Sequence, residues 1–268
     1  MSIDCIVIIG GDAAGMSAAA KIRRAQPERN ILVLERTAFT SYSACGMPYF
    51  LGGLFDDFEQ LIARSPETFR EKYAIDVRTG HEVIAVDPAN QRVTIRNSHD
   101  REIREPSDQL LIATGARPSC PAVANADAAG IFGLSTLASG LRVHEFISAN
   151  QPKSAVVVGG GSIGLEMAEA LIRQGLDVSL VQRSAEVMGT LAPGMGKLVS
   201  QALRDIGVTL YLEEQLESFE EKDGTVTAVV TSRRTLPADL VILGMGVRPN
   251  AELAANADIR LGAKGAIE

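Results

Sequence analysis

The sequence contains no tryptophan and only 4% aromatic residues, so it offers no ladder of rings on which nucleic acid bases could stack. It also lacks a basic stripe. Lys and Arg number 26 against 33 Asp and Glu, a net charge of −7, which argues against a polyphosphate backbone as partner. Three cysteines are too few, and odd in number, for a disulfide framework. No apolar run approaches the roughly 18 residues that a bilayer span requires, so no membrane partner is expected. Asp4 stands where a secretory leader would be basic, which reads as the absence of a signal peptide. Together these absences point to a soluble protein of the reducing cytoplasm. With 46% hydrophobic residues in 268 positions, the chain can fill the cores of two domains.

Glycine is abundant, at 25 residues, and two clusters of it head an internal duplication. In the first copy, the β-branched run 6–9 predicts a strand buried on both faces of a parallel sheet. Gly10, Gly11 and Gly15 follow, then a helix to about Ala25 that stops before Pro27, then a strand over 31–34 closed by Glu35. A carboxylate at that distance suits a dinucleotide fold: the turn offers backbone N–H groups to a pyrophosphate, and the carboxylate accepts from a ribose hydroxyl. The middle glycine of the pattern is replaced by Asp12. In the second copy a strand over 156–158 leads into Gly159, Gly161 and Gly164, an unbroken G-x-G-x-x-G. An amphipathic helix to about Gln174 is ended by Gly175, and 178–181 forms the next strand. One such fingerprint is equally consistent with an ordinary strand-to-helix turn; two in register imply two nucleotides. The expected fold class is therefore α/β, with two Rossmann-like domains.

Short strands over 81–86, 91–96 and 109–113 are expected to form an antiparallel insertion, and 209–216, 225–231 and 239–243 to form another. The Pro- and Ala-rich stretch 117–130 reads as a linker. The segment 41–53, SYSACGMPYFLGG, places Cys45 at the predicted start of a short helix with Pro48 in its first turn. There the helix dipole would favour the nucleophilic thiolate. Cys5 and Cys120 are read as small buried apolar residues. His81, His99 and His144 have no partners at ligand spacing, so no metal site is expected.

The first Gly-rich turn with Glu35, the segment S-Y-x-x-C-G-x-P-Y, the run 110–118 (LLIATGARP), the second Gly-rich turn and 246–250 (GVRPN) together resemble the pyridine nucleotide-disulfide oxidoreductases. The single cysteine is similar to their one-cysteine branch, which includes coenzyme A-disulfide reductases, NADH oxidases and NADH peroxidases. The resemblance implies a three-layer ββα architecture in each domain. It places an FAD-binding domain over 1–117, an NAD(P)-binding domain over 118–244 and a returning FAD-domain segment from 245. It puts Gly10, Gly11, Ala13, Ala14, Gly15, Glu35, Arg36, Ser41, Thr114 and Gly115 on FAD. Gly159, Gly161, Ser162, Gly164, Glu166, Gln182, Arg183 and Gly246 would serve the cofactors from the second half, with Glu166 near the nicotinamide and Ser162 standing where a Tyr often gates it. Hydride would pass from NAD(P)H through FAD to Cys45, which reduces a small disulfide.

Ala13 stands where the oxidases and peroxidases carry a His, which favours a coenzyme A-disulfide reductase over an NAD(P)H oxidase. Lys21 and Arg24, with Ser41 and Tyr42, would bind that substrate, although Lys21 and Arg24 also fit a solvated helix end. Ala44 in place of an Asn found in some of these reductases weakens the choice of coenzyme A. Gln182 and Arg183, in place of a carboxylate, favour NADPH, with NADH the alternative. A ferredoxin-type reductase with an idle cysteine, or a nucleotide-binding pair without catalysis, are the remaining readings. Family members continue beyond the point matching Glu268 and form homodimers through that further part. On that basis the chain is expected to bind FAD incompletely and to turn over slowly.

Overall fold

The computed structural model describes residues 5–268; Asp4, and the leader reading built on it, lie outside the described residues. The described residues divide into two compact units, one of residues 5–43, 59–117 and 248–268, the other of residues 44–58 and 118–247.

In the first unit the strand Cys5–Ile9 lies at the interior of a four-stranded parallel sheet, between Asn30–Glu35 and Gln109–Ile112, with Asp76–Thr79 outermost beyond Asn30–Glu35. Because strand side chains alternate, the two faces of this sheet bury different sets. Ile6, Ile8, Ile31 and Val33 pack with Met16 and Ala19 of the helix Ala13–Ala25 and with Phe69 of the helix Pro66–Tyr73. Val7, Ile9, Leu32 and Leu34 pack instead with Val83, Val93 and Ile95 of an antiparallel sheet formed by His81–Asp87, Arg92–Asn97 and Glu102–Pro106. Each of these fully buried aliphatic side chains contributes about 1.5–3 kcal/mol. The result is helix, parallel sheet and antiparallel sheet in three layers, the α/β architecture expected.

The second unit repeats the plan. Its parallel sheet runs Thr209–Leu212, Asp177–Gln182, Ser154–Val158, Leu240–Leu243 and Ile131–Gly133. One face packs against the antiparallel strands Leu216–Lys222, Thr225–Thr231 and Thr235–Pro237 through Val156, Val158 and Val181 against Phe219, Val226 and Val229. The helix Ser162–Arg173 lies on strands Ser154–Val158 and Asp177–Gln182.

Several local expectations are corrected. The strands Gln109–Ile112 and Leu240–Leu243 are parallel members of the main sheets, not of the insertions, and so is Thr209–Leu212. A short apolar run carries no information about its partner or direction. The third insertion strand of the first unit is Glu102–Pro106, a largely exposed segment whose polar composition conceals it. The stretch read as a linker is anchored, since Val123, Ala126 and Ala128 pack on the second unit's core. Cys120 is exposed and Cys5 only half-buried, so neither is a fully buried apolar residue. No helix among the described residues is long and apolar enough to cross a membrane.

Candidate functional site

Each unit presents a cavity where its parallel strands give way to the Gly-rich turn, the position at which open α/β sheets hold ligands. In the first unit the cavity measures about 620 Å³ and is lined by Gly10, Glu35, Arg36 and Thr114, among others. Its turn is tightly fixed. The Gly11 N–H donates to Glu35 Oε2 at 2.8 Å, while Glu35 Oε1 accepts from both the N–H and the hydroxyl of Thr37 at 2.7 Å. The glycine at position 15 is required by close packing, because a Cβ there would collide with the Gly10 carbonyl oxygen. Ala13 and Ala14 are exposed at the helix start, as is Gly115. The Ser41 N–H donates to the Gly11 oxygen at 3.0 Å, and the Tyr42 N–H to Asp12 Oδ1 at 3.2 Å. Burial pushes the Asp12 carboxyl above its ordinary value; the N–H groups of Tyr42 and Ala13 oppose that shift and Glu35 adds to it.

The far wall of this cavity joins Thr114, expected here, to Asn250, which was not. Thr114 Oγ1 donates to the Asn250 oxygen at 2.6 Å, and Asn250 Nδ2 donates back to the Thr114 oxygen at 2.8 Å. Arg117 bonds Asn250 Oδ1 at 3.1 Å and bridges Glu252 at 2.6 Å, which holds the Glu252 carboxyl below its ordinary value. The signal was present in the two motifs that supply these residues, but nothing in a sequence says that distant motifs face each other. Lys21 and Arg24 lie exposed on the helix Ala13–Ala25, outside the cavity lining.

In the second unit a cavity of about 580 Å³ is lined by Gly159, Gly161, Gln182, Arg183, Glu214 and Gly246, with others. Here Gln182 takes the place of Glu35. Its Oε1 accepts the Gly160 N–H at 2.9 Å, and its amide nitrogen donates to Ser184 Oγ at 2.5 Å. Gly164 is held by the same collision as Gly15, its added Cβ meeting the Gly159 oxygen. Ser162 and Glu166 are exposed on the helix and are not among the lining residues. Glu214, unanticipated, is 2% exposed in its side chain, accepts the Thr231 hydroxyl at 2.8 Å and pairs with Arg234 at 3.0 Å.

Cys45 lies exposed in the 3-10 turn Ala44–Gly46, directly ahead of the helix Met47–Leu51 with Pro48 in its first turn. The helix is short and apolar, with Met47, Pro48, Phe50 and Leu51 buried. It packs on helices Ser162–Arg173 and Leu137–Asn150, where Phe50 stacks on His144 at 4.7 Å and the Leu51 oxygen accepts from Gln174 at 2.8 Å. By contrast, burial pushes the Cys5 thiol above its ordinary value, with Glu105 adding to the shift. No grouping of His, Cys, Asp and Glu that could hold a metal ion occurs among the described residues.

A family model described as pyridine nucleotide-disulphide oxidoreductase matches residues 4–268. The chain belongs to this family. It is similar to the NAD(P)H sulfur oxidoreductase (CoA-dependent) of Pyrococcus abyssi, 38% identical over 263 residues, covering 98% of this chain and 58% of the relative. It is similar also to the coenzyme A disulfide reductase of Staphylococcus haemolyticus, 31% identical over 264 residues with coverage of 98% and 58%. Among solved structures, reduced CoADR-RHD of Bacillus anthracis matches with a TM-score of 0.93 and 31% identity, over 97% of this chain and 47% of that one. An engineered water-forming NADPH oxidase bound to NADPH, derived from the NADH oxidase of Lactobacillus brevis, matches with a TM-score of 0.90 and 30% identity, over 97% and 57%. The chain spans about 58% of the length of the curated family members it matches.

Proposed function

We propose that this chain carries the nucleotide- and sulfur-handling parts of an FAD-dependent NAD(P)H:disulfide oxidoreductase acting on coenzyme A disulfide or a related small disulfide or persulfide. The observation that carries this reading is the pair of equivalent cavities, each opening on a Gly-rich turn, in a chain that also presents the exposed Cys45. The first cavity fits FAD. Its turn and helix start offer backbone N–H groups to a pyrophosphate, and Glu35, with three of its roughly four acceptor positions used by the protein, keeps one for a ribose hydroxyl. When bound, FAD supplies the two-electron relay between nicotinamide and sulfur. The second cavity would hold the nicotinamide nucleotide.

Cys45 does the sulfur chemistry. Its thiolate attacks one sulfur of the substrate, the S–S bond breaks, one thiol leaves, and the other half remains on Cys45 as a mixed disulfide. Reduction by two electrons releases the second thiol and restores Cys45. Ala13, exposed at the start of the first helix, offers no imidazole for oxygen or peroxide chemistry, so an oxidase is the less favoured reading. NADPH is favoured over NADH because Arg183 brings a cation to the cavity lining and Gln182 puts a neutral amide where a carboxylate would reject a phosphate. The engineered NADPH oxidase carries, in a row, Asp-to-Ala, Ala-to-Arg and Met-to-Ser replacements, a triplet of the same character. The whole protein is proposed to work as a cytoplasmic homodimer.

The test is reduction of coenzyme A disulfide by NADPH in FAD-supplemented protein, compared between wild type and Cys45→Ser. Disulfide reduction should vanish in the variant while reduction of ferricyanide persists. Disulfide reduction at the wild-type rate in Cys45→Ser overturns the reading.

A further inference from the structure

The middle position of each Gly-rich turn has much the same backbone and a different occupant. Gly161 has φ −86 and ψ −179, and Asp12 has φ −104 and ψ −152, so neither position needs glycine's left-handed freedom. A Cβ added at Gly161 would find nothing nearer than the Gly244 oxygen at 3.9 Å. The bare glycine therefore serves whatever occupies the open space above the helix start. In the first turn that position carries a carboxylate instead.

Asp12 does not cap its own helix with its side chain. Its Oδ1 accepts the Tyr42 N–H, next to the Ser41 N–H that donates to Gly11. Ser41 has φ +50, a left-handed conformation that a serine keeps only where its surroundings hold it. The bonds around it do so: the Ser41 oxygen accepts from the Ala63 N–H at 2.8 Å and the Ser43 N–H donates to the Leu61 oxygen at 2.7 Å. Residues 41–43 are thus stitched to the turn on one side and to residues 61–63 on the other. Glu35, bonded to the neighbouring Gly11, adds a second negative charge to the same turn.

We propose that Asp12 is a positioning residue whose carboxylate pins residues 41–43, the lead-in to Cys45, to the dinucleotide turn, and whose charge weakens the grip of that turn on a dinucleotide diphosphate. The proposal rests on the reading of the first cavity as an FAD site. Asp12→Asn keeps an acceptor oxygen for Tyr42 and removes the charge. Asp12→Gly restores the full glycine pattern and removes both. FAD binding to the full chain, followed by quenching of flavin fluorescence, should therefore tighten on the order of fivefold to tenfold in Asp12→Asn. Exchange of the Tyr42 amide with deuterium, read by NMR in the protein without nucleotide, should stay slow in Asp12→Asn and accelerate at least about tenfold in Asp12→Gly. Wild type that binds FAD, with Asp12→Asn binding no tighter or Tyr42 equally protected in Asp12→Gly, overturns this proposal alone. Absence of FAD binding in all three proteins overturns the site reading and this proposal with it.

Discussion

At the end of the second strand of the first unit, a carboxylate spends one oxygen on the Gly11 N–H and the other on Thr37; at the equivalent place in the second unit, an amide spends its oxygen on the Gly160 N–H and its nitrogen on Ser184. The inner half of both side chains does the same work, since each satisfies a backbone donor that the turn would otherwise strand. Only the outer half differs, an acceptor in one unit and a donor in the other. The fold therefore demands one oxygen at this position and leaves the remaining atom free to differ, which on the proposed reading separates the two nucleotide sites.

The comparison is tested most severely by filling the two tightly packed glycines. Gly15→Ala and Gly164→Ala should each cost about 1–3 kcal/mol of stability and abolish binding of one dinucleotide while sparing the other, as calorimetric titration with FAD and with NADPH would report. Loss of both ligands in either variant would break the equivalence of two independent turns. Next in size is cofactor choice: Arg183→Ala should lower the ratio of kcat/KM for NADPH to that for NADH by about tenfold, or roughly 1.4 kcal/mol, and Gln182→Glu should shift it the same way. An unchanged ratio removes Arg183 from recognition.

Exchanging the inner partners is subtler. Glu35→Gln turns an amide nitrogen toward the N–H of Gly11 or of Thr37 and should cost about 1–3 kcal/mol in chemical unfolding. Gln182→Glu keeps its bond to Gly160 and should cost less. Smallest is the effect of acid on the strand entries. Asp108 and Asp239 each precede the strand beside the first strand, their N–H groups donating to Cys5 and Ser154 oxygens at 2.9 and 3.1 Å. The side chains diverge: Asp108 pairs with Arg29 at 2.9 Å, while Asp239 accepts from Lys153 N, Ser154 N and Ser154 Oγ. Burial raises the Asp239 carboxyl, but those three donors outweigh it and the net direction is downward. With the folded value below the unfolded one, the stabilisation is full at neutral pH and fades as the pH falls below about 4. A Tm series from pH 7 to 3 should show a slightly shallower acid decline in Asp239→Asn than in wild type.

Much of this was legible in the sequence because the duplicated unit writes itself in local terms: a buried run, glycines at fixed spacing, a helix with a terminator, a second run. The turns, Glu35 and Gln182 all follow from that order. What stayed hidden was pairing across distance. The segments 109–113 and 239–243 have the right composition for strands, yet only the fold says that they lie parallel beside the first strand of each unit. Glu102–Pro106 has the composition of a loop and pairs as a strand because its neighbour Arg92–Asn97 offers a free edge. The Thr114 and Asn250 exchange of bonds joins residues 136 apart in sequence, and the burial of Glu214 becomes intelligible only beside Thr231 and Arg234.

Neither unit is one contiguous length of chain, and this sets the order in which the protein can mature during synthesis. Residues 44–58 belong with residues 118–247, so the apolar helix Met47–Leu51 leaves the ribosome long before the helix Ser162–Arg173 that it packs on. At ordinary elongation rates that wait is roughly ten seconds. Asn250 is in turn made after all of the second unit, so the clasp on Thr114 closes late. A ribosome-stalling series should find the first unit protease-sensitive until residue 250 has emerged from the ribosome, although all four strands of its parallel sheet were translated long before.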